Sequence, residues 1–334
     1  MDKNWDILLK KFRSLGGVVD NICQIEGKNG RGLFPLKPDL KSRIFVPKHL
    51  LIKRKDVYLH KSGFMRIKSK TGYSSKLVSF FHFYQDNFSW GGGGKEIEEA
   101  FENGLKAFPV DVKDYLRRFG IIDIIERHNT SWDDFIFETY LNRRGFNFKD
   151  ESIIVPFLEL VNYLPGCLPL LVSEKGIQQP DIDISNKEIT HQYNFASPLA
   201  RWMQLGFTCE ESIAFSIPFN LKLSGTNISI SCQGKSLDDD EVSFQKDNNK
   251  IIISGLPIAN IDYKELPYQY LLRLSNLLKL DFDIREFLMK IINFNLKVRN
   301  DFLLNFGTIN NDSFESLILA LNIEIKLIKQ SNNR

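Results

Sequence analysis

The chain has 334 residues, 43% of them hydrophobic and 25% charged, with a formal net charge of +3. That composition supplies apolar material for a full core and room for two domains, while the small net charge argues for no particular partner. The longest apolar runs, such as 121–125 and 168–172, are far shorter than the roughly 20 residues a membrane span needs, so no membrane anchor is expected.

The opening segment, MDKNWDILLKKF, sets Asp2, Asp6, Lys10 and Lys11 around one short apolar patch. It has neither the long apolar segment nor the cleavage site of a secretory signal, and a cytoplasmic protein is expected. Apolar spacing predicts a helix over 5–15, and alternation predicts short strands at 18–25 and 42–46. Between 41 and 76 there are eleven Lys or Arg residues and one acid, Asp56. A face for nucleic acid or for an acidic protein is one reading; the stretch carries no nucleic-acid motif, and a solvated lysine-rich surface is preferred. Helical spacing returns at 74–84, 95–107, 112–119 and 132–141. The tetraglycine at 91–94 before Lys95 lacks the distal glycine and the Ser or Thr of a phosphate loop and reads as a mobile loop. A strand-like core segment follows at 152–163.

Further strands are predicted at 212–223, 228–233 and 250–256, separated by a polar run at 236–241 and by Asn248 and Asn249. The acids at 238–241 lack the spacing of a calcium loop and read as a solvated hairpin loop. Helices close the chain at 268–280, 284–302 and 313–329, with Pro267 and Gly307 as breakers. Cys23, Cys167, Cys209 and Cys232 show no CxxC spacing and the five histidines are dispersed, so neither disulfides nor a metal site is expected. Strands, a helical insert, more strands and a helical tail make an α+β protein, not a doubly wound sheet.

Three segments could carry chemistry. GKNGRGLF at 27–34 sits between strands, where glycines let backbone approach a ligand closely. In VPFLELVNYLPG, Asn162 directly follows a buried apolar run and requires a hydrogen-bond partner, either neighbouring backbone or a ligand. THQYNFASPLARWMQLGF pairs Tyr193 with Gly206 and Phe207 across a stretch containing Ser197.

In this order the three segments resemble the SET domain of protein-lysine methyltransferases, in particular the Rubisco large-subunit methyltransferase group. NGRGLF looks like that group's opening glycine loop. VPFLELVNY matches its Pro-x-x-Asp-x-x-Asn-His motif, with Pro156 and Asn162 in place, Glu159 for Asp and Tyr163 for His. Tyr193 and Leu205 keep the spacing from the family's Ser-Tyr-Gly element to its terminal Tyr-Gly-Phe, of which Gly206 and Phe207 remain. FIFETYLNRRGF resembles the helix that ends in Ser-Arg and places Asn142 and Arg143 there, with Arg144 as an alternative.

The resemblance implies a SET-like β-rich domain over 1–207 with a helical insert at about 74–141, then a smaller substrate-binding-like region over 208–334, β-rich and ending in helices. It implies S-adenosylmethionine as cofactor and a lysine side chain of a protein as acceptor. Asn29, Gly30, Arg31, Asn142, Arg143, Asn162 and Tyr163 would hold the donor, and Tyr193, Leu205 and Phe207 would border the lysine channel. The family's catalytic hydroxyl belongs at 205, where leucine can supply neither hydrogen bond nor dipole. Either Tyr163 or Tyr193 supplies it from a shifted position, or the protein is a catalytically silent SET-fold binding module.

Overall fold

Helix α1 (Lys3–Ser14) turns Trp5, Leu8, Leu9 and Phe12 to one buried face, the spacing of three and four that predicted it. The computed structural model describes residues 3–27, 30–119, 131–180, 187–193, 196–222, 229–232, 243–247, 249–280, 282–307 and 312–332. The run at 121–125, Asn29 and the acids at 238–241 lie outside the described residues. The insert forms α2 (Ser75–Asn87), α3 (Lys95–Lys106), α4 (Val110–Arg118) and α5 (Trp132–Arg144). The later helices are α6 (Pro198–Leu205), α7 (Leu266–Leu278), α8 (Ile284–Phe306) and α9 (Asp312–Asn332). Helices and strands are thus mixed along the chain, and no described helix is long and apolar enough to cross a membrane.

Packing divides the chain into two units, Met1–Glu102 with Asn129–Tyr193 and Asn103–His128 with Asn194–Arg334. This division differs from a boundary at 207. Residues of α4 and α6 pack within the second unit: Tyr115 meets Phe302 of α8 at 5.6 Å, and Phe108 stacks on Trp202 of α6 at 6.3 Å.

In the first unit, four antiparallel strands run Val18–Asp20, Arg43–Pro47, Gly176–Gln178, Leu171–Ser173 in sheet order. A hairpin joins Ile22–Gly27 to Gly30–Pro35, and Asn162–Tyr163 pairs in parallel with Thr190–His191. The apolar core lies between these strands and α1, α2 and α5. The segment 152–163 is not one strand, a correction to the sequence reading. Strand Glu151–Ile154 ends before Phe157, whose φ of 66° breaks the extended chain and starts the turn Leu158–Leu160. A phenylalanine in the left-handed region is strained. Its full burial against Phe12, Trp5 and Tyr84 offsets that cost, and its N–H donates to the Tyr84 hydroxyl at 3.2 Å.

In the second unit, a sheet ordered Phe219–Lys222, Ser229–Cys232, Lys250–Ser254, Ser243–Asp247 and a pair formed by Ile213–Phe215 with Pro257–Asn260 pack with α7, α8 and α9 around their own core. Arg201 pairs with Glu211 and Arg299 with Glu324, all four buried.

Candidate functional site

The turn at Phe157 delivers Asn162 to the Gly30–Pro35 strand. The Asn162 Nδ2 donates to the Arg31 carbonyl at 3.2 Å and to the Glu188 carboxylate at 2.5 Å. Gly32 makes this possible. A Cβ there would land on the Glu188 Oε1 and lie 3.0 Å from the Asn162 Nδ2, so only glycine leaves room for the pair. The same strand receives the N–H of Ile189 at its Leu33 carbonyl at 2.7 Å. Residues far apart in sequence thereby converge: the glycine hairpin, the Asn162 strand and the strand leading to Tyr193.

On the other side of that junction three aromatic rings gather. Parallel pairing sets Tyr163 opposite His191. Tyr193 lies 4.6 Å from the His191 ring and 5.2 Å from Tyr163. Tyr163 is buried, while Tyr193 is 36% exposed. The Tyr193 hydroxyl donates to the Val161 carbonyl at 2.8 Å, which commits its proton and leaves oxygen lone pairs as acceptors. His191 is 1% exposed; its Nδ1 contacts the Gln192 carbonyl at 3.1 Å, which places the proton on Nδ1 because a carbonyl only accepts. Its Nε2 has no partner among the described residues. Burial holds its pKa down to about 4, so the ring is neutral at pH 7.

Glu159, which the resemblance sets against an aspartate, is also buried. Its Oε1 accepts from Gln85 at 3.0 Å and from Ser89 at 2.8 Å, and the Ser89 and Tyr140 hydroxyls are hydrogen-bonded. Burial pushes the Glu159 carboxyl above the usual carboxylate range, against the pull of the Ser89 and Tyr84 hydroxyls and of Arg144.

The tetraglycine is part of this region. Trp90–Gly94 forms a wide turn between α2 and α3, with Trp90 1% exposed and Gly93 at φ 105°. A Cβ on Gly94 would lie 2.7 Å from the Ser89 carbonyl and 2.8 Å from the Tyr140 ring, and one on Gly93 would land on the Arg31 guanidinium. The turn is packed, a correction to the mobile loop expected from its composition.

The C-terminal end of α5 separates its polar residues. Asn142 is exposed and accepts from Arg54 at 2.5 Å. Arg143 turns to α3, where its guanidinium meets the buried carboxylates of Glu98 and, at 2.8 Å, Glu102. Arg144 instead donates to the Glu159 carbonyl at 2.8 Å. Of the three residues, Arg144 is therefore the one that touches the Asn162 segment. Gly30, at φ 84°, and Arg31 open the second strand of the hairpin, within the segment that the sequence reading set between strands. Leu205 and Phe207 belong to the second unit, where Leu205 ends α6, Gly206 caps it at φ 77° and Phe207 is 36% exposed. Glu188 and Ser89 escaped the sequence reading, and Arg144 entered it only as the alternative to its neighbour.

Part of the lysine-rich stretch meets acids of the same chain. In a cleft of about 450 Å³, Lys53 and Lys55 share Glu151, and Arg54 pairs with Glu138. Arg66 holds Asp86 at 2.6 Å.

No family model matches the chain, and no curated protein does. Among solved structures it is similar to Rubisco LSMT bound to AdoMet, at 17% identity and a TM-score of 0.48 over 99% of this chain and 91% of that one. It is also similar to the SET domain of LSMT bound to lysine and AdoHcy, at 16% identity and a TM-score of 0.45, again over 99% and 91%.

Proposed function

We propose that this protein is an S-adenosylmethionine-dependent protein-lysine N-methyltransferase. The observation that carries the reading is the meeting of motif segments from distant parts of the chain: Asn162 on the carbonyl of Arg31, and Tyr193 on the carbonyl of Val161. The donor set fits an amino-acid end. A carboxylate at Glu188 and the carboxamide of Asn162 flank Gly32, and together they suit an ammonium group. Asn162, Gly30, Arg31 and Tyr163 would hold the donor.

When bound, that donor supplies an electrophilic methyl on a sulfonium cation. The chain's task is then positioning and desolvation. An acceptor lysine, with an ordinary pKa near 10.4, must arrive uncharged, and an apolar aromatic surround disfavours its ammonium. Tyr163 and the neutral His191 ring supply such walls. Tyr193 presents the hydroxyl oxygen whose proton is already spent on Val161, an acceptor dipole of the kind that stabilises a methyl gaining positive charge. On this reading Tyr193 takes the role that Leu205 cannot.

The test is incubation of the pure protein with methyl-labelled donor and a lysate of its own organism. Label on a lysine of a lysate protein is expected, and its loss in Tyr193→Phe assigns the hydroxyl. A second reading, a SET-fold binding module without turnover, is favoured by the aliphatic Leu205. Calorimetric binding of the donor without any labelled protein would select it, and absence of binding would end both.

A further inference from the structure

The tetraglycine turn and the Arg31 side chain above it have no role in the reading so far beyond lining the donor. Arg31 is half-buried, and among the described residues nothing accepts a hydrogen bond from its guanidinium. That is unusual for this unit. Arg143 has two carboxylates, Arg144 a carbonyl and a tyrosine ring, Arg54 a carboxylate and an amide, and Arg66 both oxygens of Asp86. A guanidinium partly withdrawn from water loses hydration and recovers it only through acceptors.

Its position is also built. The Arg31 Nη2 occupies the place a Cβ on Gly93 would take, and its Nη1 lies 3.3 Å from where a Cβ on Gly92 would be. The turn that offers this space is held at its start: Ser89 donates to Glu159, and the N–H of Trp90 donates to Gln85 at 3.3 Å. The backbone of Arg31 is fixed from the other direction, because its carbonyl accepts from Asn162. Side chain and main chain of one residue are thus located by two different parts of the fold, and the head group has no acceptor among the described residues.

We infer that Gly92 and Gly93 are the seat of Arg31, and that Arg31 is the group that reads the carboxylate of the donor's amino-acid end. The inference rests on the proposed function. Arg143, which the resemblance put in the donor pocket, is neutralised by Glu98 and Glu102 and has no charge to offer. The Arg31 carbonyl accepts from Asn162, which also donates to Glu188, so the residue that carries this cation adjoins an anion through its main chain. An α-amino acid carries the complementary carboxylate and ammonium. A planar guanidinium fork matches a carboxylate in a way an ammonium does not.

The experiment is calorimetry on the full chain with two ligands, S-adenosylmethionine and its decarboxylated form, which keeps the ammonium, sulfonium and nucleoside. Wild type should prefer the intact donor. Arg31→Gln should weaken the intact donor by about 10- to 100-fold and leave the decarboxylated ligand unchanged. Retained binding of the latter certifies the fold of the variant. Gly93→Ala should show the same selective loss, because its Cβ displaces the guanidinium, and Arg31→Lys should fall between wild type and Arg31→Gln. Equal losses for both ligands, or no loss for either, overturn the inference while the proposed function stands. If wild type binds neither ligand, the proposed function falls and takes the inference with it.

Discussion

In the second unit, buried Arg201 and Arg299 each have a buried carboxylate. Glu324 takes Arg299 on one oxygen at 2.7 Å and the N–H of Leu199 on the other at 3.1 Å, so it ties α8 to the start of α6. In the first unit Arg143 is treated the same way, but Arg31 is not, and the buried Glu159 is met by an amide and a hydroxyl at its side-chain oxygen. Burial of matched charges builds scaffold: it fixes helices and leaves nothing for a ligand. A half-buried cation without an acceptor among the described residues, seated against two glycines, is an arrangement the fold alone does not require. On this contrast rests the proposal of a site in the first unit.

Breaking a matched pair should have the largest effect. Glu324→Ala leaves Arg299 buried without its counter-charge and α6 without its acceptor, and should cost about 3–5 kcal/mol in chemical denaturation. The pair can be separated from its burial cost: Arg299→Met combined with Glu324→Leu should recover most of that loss. If the single variant costs no more than a surface substitution, the second unit is not built on this pair.

His191 sharpens the comparison from the other side, as a titratable group buried without a counter-charge among the described residues. Its folded pKa is about 4 against an ordinary 6.5. Between those values the unfolded chain binds a proton that the folded chain refuses, so stability falls as pH drops from 6.5 to 4. The loss should approach roughly 3 kcal/mol and be complete below that window. Glu159, with a raised pKa, pulls in the opposite direction, so the measurement is the difference between wild type and His191→Phe across pH 4 to 7. A difference that does not change with pH would show that His191 is charged or solvated in the fold.

The helices were legible because burial on one face leaves a period in the sequence: 5–15 became Lys3–Ser14, and 284–302 became Ile284–Phe306. The segment 152–163 misled because an unbroken apolar run records burial without recording direction, and it cannot show that Phe157 reverses the chain. Asn162 announced that it needed a partner. That the partner is the carbonyl of Arg31, 131 positions away, is a fact of tertiary structure. Adjacent arginines on α5 differ by about 100° of helix rotation, which is why Arg143 was chosen where Arg144 reaches the segment. Glycines are the hardest case. Composition gives the same four letters for a mobile loop and for a turn with no room for a methyl group.

Gly94→Ala tests that last distinction. The new Cβ would meet the Ser89 carbonyl and the Tyr140 ring, neither a flexible end that can swing away. A cost of about 1–3 kcal/mol is expected, as for other overpacked positions. A cost no larger than that of a surface substitution would return the tetraglycine to the status of an ordinary loop.

The smallest expected effect on stability is the most informative about the site. Tyr193→Phe removes one hydrogen bond, to the carbonyl of Val161, and leaves the ring against His191 and Tyr163. A net loss of about 1 kcal/mol follows for a partly exposed bond of this kind. If Tyr193 serves only to hold the Asn162 strand, methyl transfer should fall no further than that destabilisation accounts for. A fall in kcat of about 100-fold or more at unchanged donor affinity would show instead that the oxygen acts on the reacting methyl, since an interaction made only in the transition state lowers kcat and spares ground-state binding. The two outcomes separate a tyrosine that belongs to the scaffold from one that belongs to the chemistry, within a single side chain.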